Sequence, residues 1–69
     1  MSPADVAHAC LVEVGRKDLA DEVWWFDEDG GYLEYDSEIL SPEDWAVMDR
    51  AENLARASIG NPPMERPQL

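Results

Sequence analysis

Apolar residues near the amino terminus recur at the three- and four-residue spacing of a helix with one buried face. Ser2 supplies a side-chain cap, Pro3 fits the first helical position, and Gly15 can end the helix in the left-handed conformation. The pattern predicts a helix over about 3–14 whose apolar stripe faces the core. The stripe comprises Val6, Ala7, Cys10, Leu11 and Val14.

A second apolar stripe at helical spacing follows the clearest helix start in the chain, Ser41-Pro42-Glu43-Asp44. A capping hydroxyl, a proline at the first position and two carboxylates in the first turn all favour a helix amino terminus. Gly60 provides the stop signal, so we predict a helix over about 42–58. Its apolar stripe consists of Val47, Met48, Ala51, Leu54, Ala55 and Ile59.

The segment between these helices favours a β-hairpin over about 23–27 and 32–36. A two-residue turn at Asp29-Gly30 would place Phe26 opposite Leu33 and Trp24 opposite Tyr35. The prediction is therefore a small α+β domain. The alternative continues a second helix through Phe26 and gives an all-α, three-helix fold.

Six aromatic residues are expected to supply most of the core of so short a chain. The adjacent Trp24 and Trp25 point to opposite faces of a regular strand, so one of the two should lie near solvent. An exposed indole surrounded by carboxylates would anchor a basic partner through apolar contact and cation–π attraction. We name Trp25 as that candidate anchor.

The chain has 69 residues, which is enough for one folded domain over 1–60 followed by a Pro-rich flexible tail over 61–69. Cys10 is the only cysteine, so no internal disulfide forms, and no apolar run is long enough for a secretion signal or a membrane span. We expect a cytoplasmic protein, in the host cell if a phage encodes it, as a monomer or small homo-oligomer.

The chain carries 5 Lys or Arg and 16 Asp or Glu, for a net charge of −11. Between Lys17 and Arg50 lie 32 positions without a cation, and these positions hold 12 carboxylates. This large negative charge repels nucleic acid and anionic membranes and attracts basic proteins. We expect these carboxylates to lack cationic partners, to have raised pKa values, and to form one anionic surface.

The candidate partner-binding residues are the acids around the predicted turn, along the second strand and at the start of the second helix. If the strand extends far enough, alternate acids form a row about 6.6 Å apart, close to the pitch of every second DNA phosphate. The set is Trp25, Asp27, Glu28, Asp29, Glu34, Asp36, Glu38, Glu43 and Asp44.

Catalytic and metal sites are not predicted. His8 and Cys10 project about 200° apart on a helix and cannot form a nucleophile–base pair. We expect Cys10 in the core and His8 at the surface. One cysteine and one histidine are too few ligands for a zinc site. A calcium loop that began at Asp27 would need glycine at its sixth position, where this chain has Tyr32. We predict a non-enzyme without a cofactor.

Short length, dense acidity, a helix at each end and no catalytic set resemble the small acidic inhibitors of phages and mobile elements, such as anti-CRISPR proteins and other DNA mimics. The resemblance implies a stoichiometric inhibitor that blocks the basic nucleic-acid-binding groove of a host protein complex, such as a CRISPR effector. The alternative function is a small interaction module, an antitoxin or adaptor, that binds through an apolar helix face or the tail. Its acids would then serve solubility alone.

Overall fold

The computed structural model describes residues 2–36, 38 and 41–64. Helix α1 spans Pro3–Glu13, α2 spans Lys17–Ala20, strands β1 and β2 span Val23–Asp27 and Tyr32–Tyr35, and α3 spans Pro42–Ser58. The strands pair as one antiparallel hairpin. The predicted α+β class and its order of helix, hairpin and helix are confirmed, and the all-α alternative is wrong. The short helix α2 is an element that the apolar pattern did not predict.

Both long helices begin at the predicted caps. The backbone N–H of Asp5 donates to the Ser2 hydroxyl at 3.2 Å, and the Ser2 N–H donates to the Asp5 carboxylate at 3.3 Å. This reciprocal capping satisfies two N–H groups that the helix leaves without partners. At α3 the Ser41 hydroxyl accepts from the N–H of Asp44 at 3.0 Å. Local side-chain chemistry therefore sets both starting points.

The core lies mainly between α1 and α3, which pack through small side chains. Ala7, Ala51 and Ala55 have no exposed surface, and Leu11 is the largest side chain that is fully buried. Small residues bring two helices close together and leave little space for indole rings between them. The buried residues are Ala7, Cys10, Leu11, Leu19, Ala20, Phe26, Leu33, Met48, Ala51 and Ala55.

The expectation of an aromatic core is wrong. Phe26 is the one buried aromatic residue of the described chain, and Tyr35 and Trp45 are half-buried against the core. Two positions of the predicted stripes are also exposed, Val14 by 40% and Leu54 by 44%.

The hairpin turn is longer than predicted. Phe26 pairs with Leu33 as expected, but the last pair is Asp27 with Tyr32, which leaves a four-residue loop over 28–31. The N–H of Gly31 donates to the Asp27 carbonyl at 2.6 Å, and Gly31 has a φ of +74°. A residue with a Cβ is strained in that conformation, so Gly31 is the glycine that the loop requires.

Two charged side chains of α3 hold the hairpin against the helix. The Glu52 carboxylate accepts from the N–H of Leu33 at 3.0 Å, on the edge of β2 that faces away from β1. The Arg56 guanidinium donates to the Gly31 carbonyl at 2.6 Å and to the Pro62 carbonyl at 2.8 Å. Backbone groups at the strand edge and in the turn are thereby satisfied by α3.

The first part of the predicted flexible tail folds back on α3. The Asn53 side chain accepts from the N–H of Met64 at 2.9 Å and donates to the Met64 carbonyl at 3.5 Å. Together with the contact of Arg56 to Pro62, these bonds attach 61–64 to the helix. The remainder of the predicted tail, 65–69, lies outside the described residues.

The packing of α1 on α3 predicts a large difference between two leucines. Leu11→Ala removes a fully buried side chain and should lower the free energy of unfolding by about 2–5 kcal/mol. Leu54→Ala, the matched control at an exposed helical position, should cost less than about 1 kcal/mol. Urea denaturation followed by circular dichroism measures both values. Equal costs would contradict the location of the core.

Candidate partner-binding site

A β-bulge in β1 brings two tryptophans to the surface. Val23 pairs with Tyr35, and Trp25 pairs with the adjacent Glu34. Trp24 therefore has no pairing partner in β2 and is the extra residue of the bulge. The prediction that Trp24 faces Tyr35 is therefore wrong. The bulge also breaks the alternation of faces, and Trp24 and Trp25 are 60% and 55% exposed. Both indoles lie near solvent, where a regular strand would have exposed one.

The two tryptophans line an open groove between the first turn of α1 and strand β1. The groove has a volume of about 290 Å³. Its apolar lining comes from Pro3, Ala4, Trp24, Trp25 and Phe26, and its polar lining from Ser2, Asp5 and Glu28. We call this feature the Trp groove. Among the described residues, its lining includes two carboxylates and no Lys, Arg or His side chain.

The turn acids divide into one structural carboxylate and two exposed ones. Asp27 accepts from the N–H groups of Asp29 and Gly30, each at 3.0 Å. The hydrogen bond from the Gly30 N–H, together with one from the Tyr32 hydroxyl, lowers the pKa of Asp27. The hydrogen bond between Tyr32 and Asp27 also raises the pKa of Tyr32. Glu28 and Asp29 are exposed at the tip of the loop. Asp27 therefore shapes the turn, and its two neighbours present their charge to solvent.

The predicted row of acids along the second strand is not formed, because β2 contains only one of its three acids. Strand β2 ends at Tyr35, one residue before the predicted end, so Asp36 and Glu38 lie beyond the alternating part of the chain. The N–H of Asp36 donates to the Glu22 carbonyl at 3.2 Å. Glu34 is the member that stays in the strand, half-buried opposite Trp25. Asp36 and Glu38 are exposed and lie outside β2.

Several acids of the cation-free segment have basic partners after all. Arg16 binds Asp18 through two nitrogens, each at 3.1 Å, and Asp44 through Nη1 at 2.7 Å. Lys17 lies 3.1 Å from Asp21. The expectation that these carboxylates lack cations is wrong for Asp18, Asp21 and Asp44. Asp18 and Asp21 pair with cations 2 and 4 positions away, and the fold brings Arg16 against Asp44, 28 positions away.

The ion pairs also reverse the expected direction of the pKa shifts. The Arg16 guanidinium lowers the pKa of Asp18, and the Lys17 ammonium lowers the pKa of Asp21. Hydrogen bonds from Ser2 lower the pKa of Asp5, and the Asp18 and Asp44 carboxylates raise the pKa of Arg16. The Asp44 carboxylate is half-buried in this network, and its backbone N–H donates to the Ser41 cap of α3, while Glu43 beside it is exposed.

The structure brings Trp25, Glu28 and Glu34 together around the Trp groove and its neighbouring strand pair. Trp24 and Asp5, which also line the groove, were not among the predicted site residues. The adjacency of two tryptophans was the available signal for Trp24. Asp5 carried no such signal, because its sequence position indicates a helix cap.

Among the described residues, no group of three or more His, Cys, Asp or Glu side chains is placed to hold a metal ion. Cys10 is buried in the core, and burial raises the pKa of its thiol. His8 is exposed and lies 3.6 Å from Asp21. A search of the described helices found none with the length and apolar character to cross a membrane.

Three comparisons with known proteins, against family models, curated sequences and solved structures, found no match to this chain. The resemblance to acidic inhibitors stays a prediction. The function is therefore argued from the site itself.

The lowered pKa values predict a loss of stability in acid. A carboxylate whose pKa is lower in the folded state stabilises the fold above its ordinary value of 3.8, and this contribution disappears as the pH falls through the folded-state value. The melting temperature should therefore decrease between about pH 5 and pH 2.5. Thermal unfolding followed by circular dichroism measures it.

Asp27→Asn is the matched variant for this experiment, because asparagine keeps the side-chain oxygen that accepts the turn hydrogen bonds and has no proton to gain. Its melting temperature should decrease less over the same interval. A melting temperature that rises on acidification would show that repulsion between carboxylates outweighs their specific contacts.

Proposed function

We propose that this protein is a stoichiometric inhibitor that binds the basic groove of a nucleic-acid-binding protein as an acidic DNA mimic, in the manner of an anti-CRISPR protein on a CRISPR effector. The observation that carries the proposal is the Trp groove, with two exposed indoles, beside carboxylates that make no ion pair within the described chain. A basic surface provides both the charge and the apolar side-chain stems that this combination would bind.

The charge distribution supports a basic partner over other classes. Ion pairs account for Asp18, Asp21 and Asp44. The carboxylates directed to solvent without a cation in the described residues include six of the predicted site, namely Glu28, Asp29, Glu34, Asp36, Glu38 and Glu43. With a net charge of −11, long-range attraction speeds association with a cationic groove and opposes binding to DNA, RNA or anionic lipid.

The proposed mode of action is occupation of the groove without chemistry. The protein acts in the cytoplasm of the host cell, as a monomer or small homo-oligomer, and requires no cofactor. Since the inhibitor and the nucleic acid use the same cations, each displaces the other by competition.

A second function, a small interaction module, is favoured by one observation. Val12 on α1 and Leu54 on α3 are large apolar side chains exposed on helix surfaces. Such positions suit an antitoxin or adaptor that binds through a helix face. Binding of that kind depends little on salt and does not compete with DNA.

Competition with duplex DNA distinguishes the two functions. The immobilised protein is incubated at low salt with the bacterial lysate proteins that phosphocellulose retains, and bound proteins are eluted first with duplex DNA and then with salt. A DNA mimic requires that duplex DNA displaces the bound protein. Bound protein that resists both DNA and salt would support the interaction module and contradict the mimic.

A matched pair of charge reversals tests the surface involved. Glu34→Lys changes the carboxylate opposite Trp25, and Glu13→Lys makes the same change of charge at the other end of α1. Glu34→Lys should weaken capture about fivefold, because it replaces one weak attraction by one repulsion. Glu13→Lys should have a small effect. Equal losses from the two variants would show that net charge, and not this surface, drives binding.

A further inference from the structure

We infer that the Trp groove is a binding pocket for an arginine side chain presented by the basic partner. The inference rests on the proposed function for the sign of the partner's charge and adds the residue type that the pocket selects. It is carried by the composition of the groove, by its exposure and by the position of its carboxylates.

The apolar part of the groove offers flat surfaces to a planar cation. Trp24 and Trp25 are both more than half exposed, although indole is costly to leave in water. A guanidinium is planar and weakly hydrated and stacks on indole faces, whereas a lysine ammonium is compact and strongly hydrated. The two indoles therefore favour arginine over lysine.

The carboxylates of the groove supply the charge complement. Asp5 and Glu28 both line it, and the part of the lining that the structure describes has no Lys, Arg or His. Asp5 uses one oxygen, Oδ2, to accept from the Ser2 N–H at 3.3 Å, and Glu28 is exposed without an ion pair in the described chain. A guanidinium in the groove would have a carboxylate acceptor on each element that forms it, Asp5 of α1 and Glu28 of the hairpin.

A second copy of this chain is a poorer occupant. Each copy carries a net charge of −11, so face-to-face contact of two Trp grooves would bring Asp5, Glu28 and the neighbouring Glu34 of both copies together. Repulsion between these groups opposes the apolar gain. The same groups attract a cationic side chain, so charge complementarity selects the basic partner.

The test uses two fluorescently labelled peptides of equal length and charge, one with four arginines and one with four lysines in the same Gly/Ser spacers. Fluorescence anisotropy with the full chain at low salt gives both affinities. The arginine peptide should bind about three- to fivefold more tightly than the lysine peptide, because guanidinium stacking on an exposed indole has roughly that value.

Each single variant, Trp25→Ala or Trp24→Ala, should reduce the difference between the affinities for the arginine and lysine peptides. The double variant should bind the two peptides about equally and should still bind the lysine peptide. Leu54→Ala is the control, since it removes an exposed apolar side chain that does not line the groove. It should leave the preference for arginine unchanged. Circular dichroism confirms that each variant is folded.

The outcomes separate this inference from the proposed function. Equal affinities in the wild type, or a preference for arginine that survives the double variant, would overturn the arginine pocket and leave salt-dependent binding of the anionic surface intact. Absence of binding to either peptide at low salt would overturn both. A dimer in sedimentation that the double tryptophan variant converts to monomer would assign the groove to self-association and overturn the pocket.

Discussion

The bulge at Trp24 resolves a conflict between strand alternation and the space available in the core. Phe26 points into the core, so a regular strand would direct Trp24 inward as well. The helices beneath the hairpin pack through alanines, and Phe26 is the one buried ring of the described residues, with Tyr35 and Trp45 half-buried against the core. The extra residue lets Val23 pack against the core in place of the indole. The exposed tryptophans, and the groove that they line, follow from this one adjustment.

The acidic residues have two separate roles in this fold. One group makes specific contacts that organise the chain: Asp27 closes the hairpin turn, and Asp44 links α3 to Arg16. These contacts stabilise the ionised form and lower the pKa where a shift is resolved, as at Asp27. The other group, with Glu28 and Asp29 at the turn, faces solvent. Net charge therefore overstates the anionic surface available to a partner, because Asp18, Asp21 and Asp44 are paired with cations.

Much of the architecture was predictable because its signals are local. A cap, a proline and a closing glycine act within a few residues of one another, and the structure confirms the predicted bounds of α3 and all but the last residue of α1. The pairing of Phe26 with Leu33 was also predictable, because the turn fixes the register nearby. The register departs from the prediction two residues further from the turn, at Trp24, where the bulge interrupts the alternation. The contacts of Arg56 with Gly31 and Pro62 had no local signal.

The sequence by itself determined that this is a small, strongly acidic α+β protein with a helix at each end and a hairpin between them, because capping, periodicity and turn chemistry are properties of neighbouring residues. The tertiary structure alone decided the pairing of Asp44 with Arg16 and which aromatic side chains are exposed. Arg16 reaches Asp44 across 28 positions of the chain, and the bulge that accompanies the exposure of Trp24 is a feature of the folded strand pair that sequence alternation does not predict. Charge pairing and exclusion from a core depend on distances in the folded molecule, and linear spacing does not record those distances.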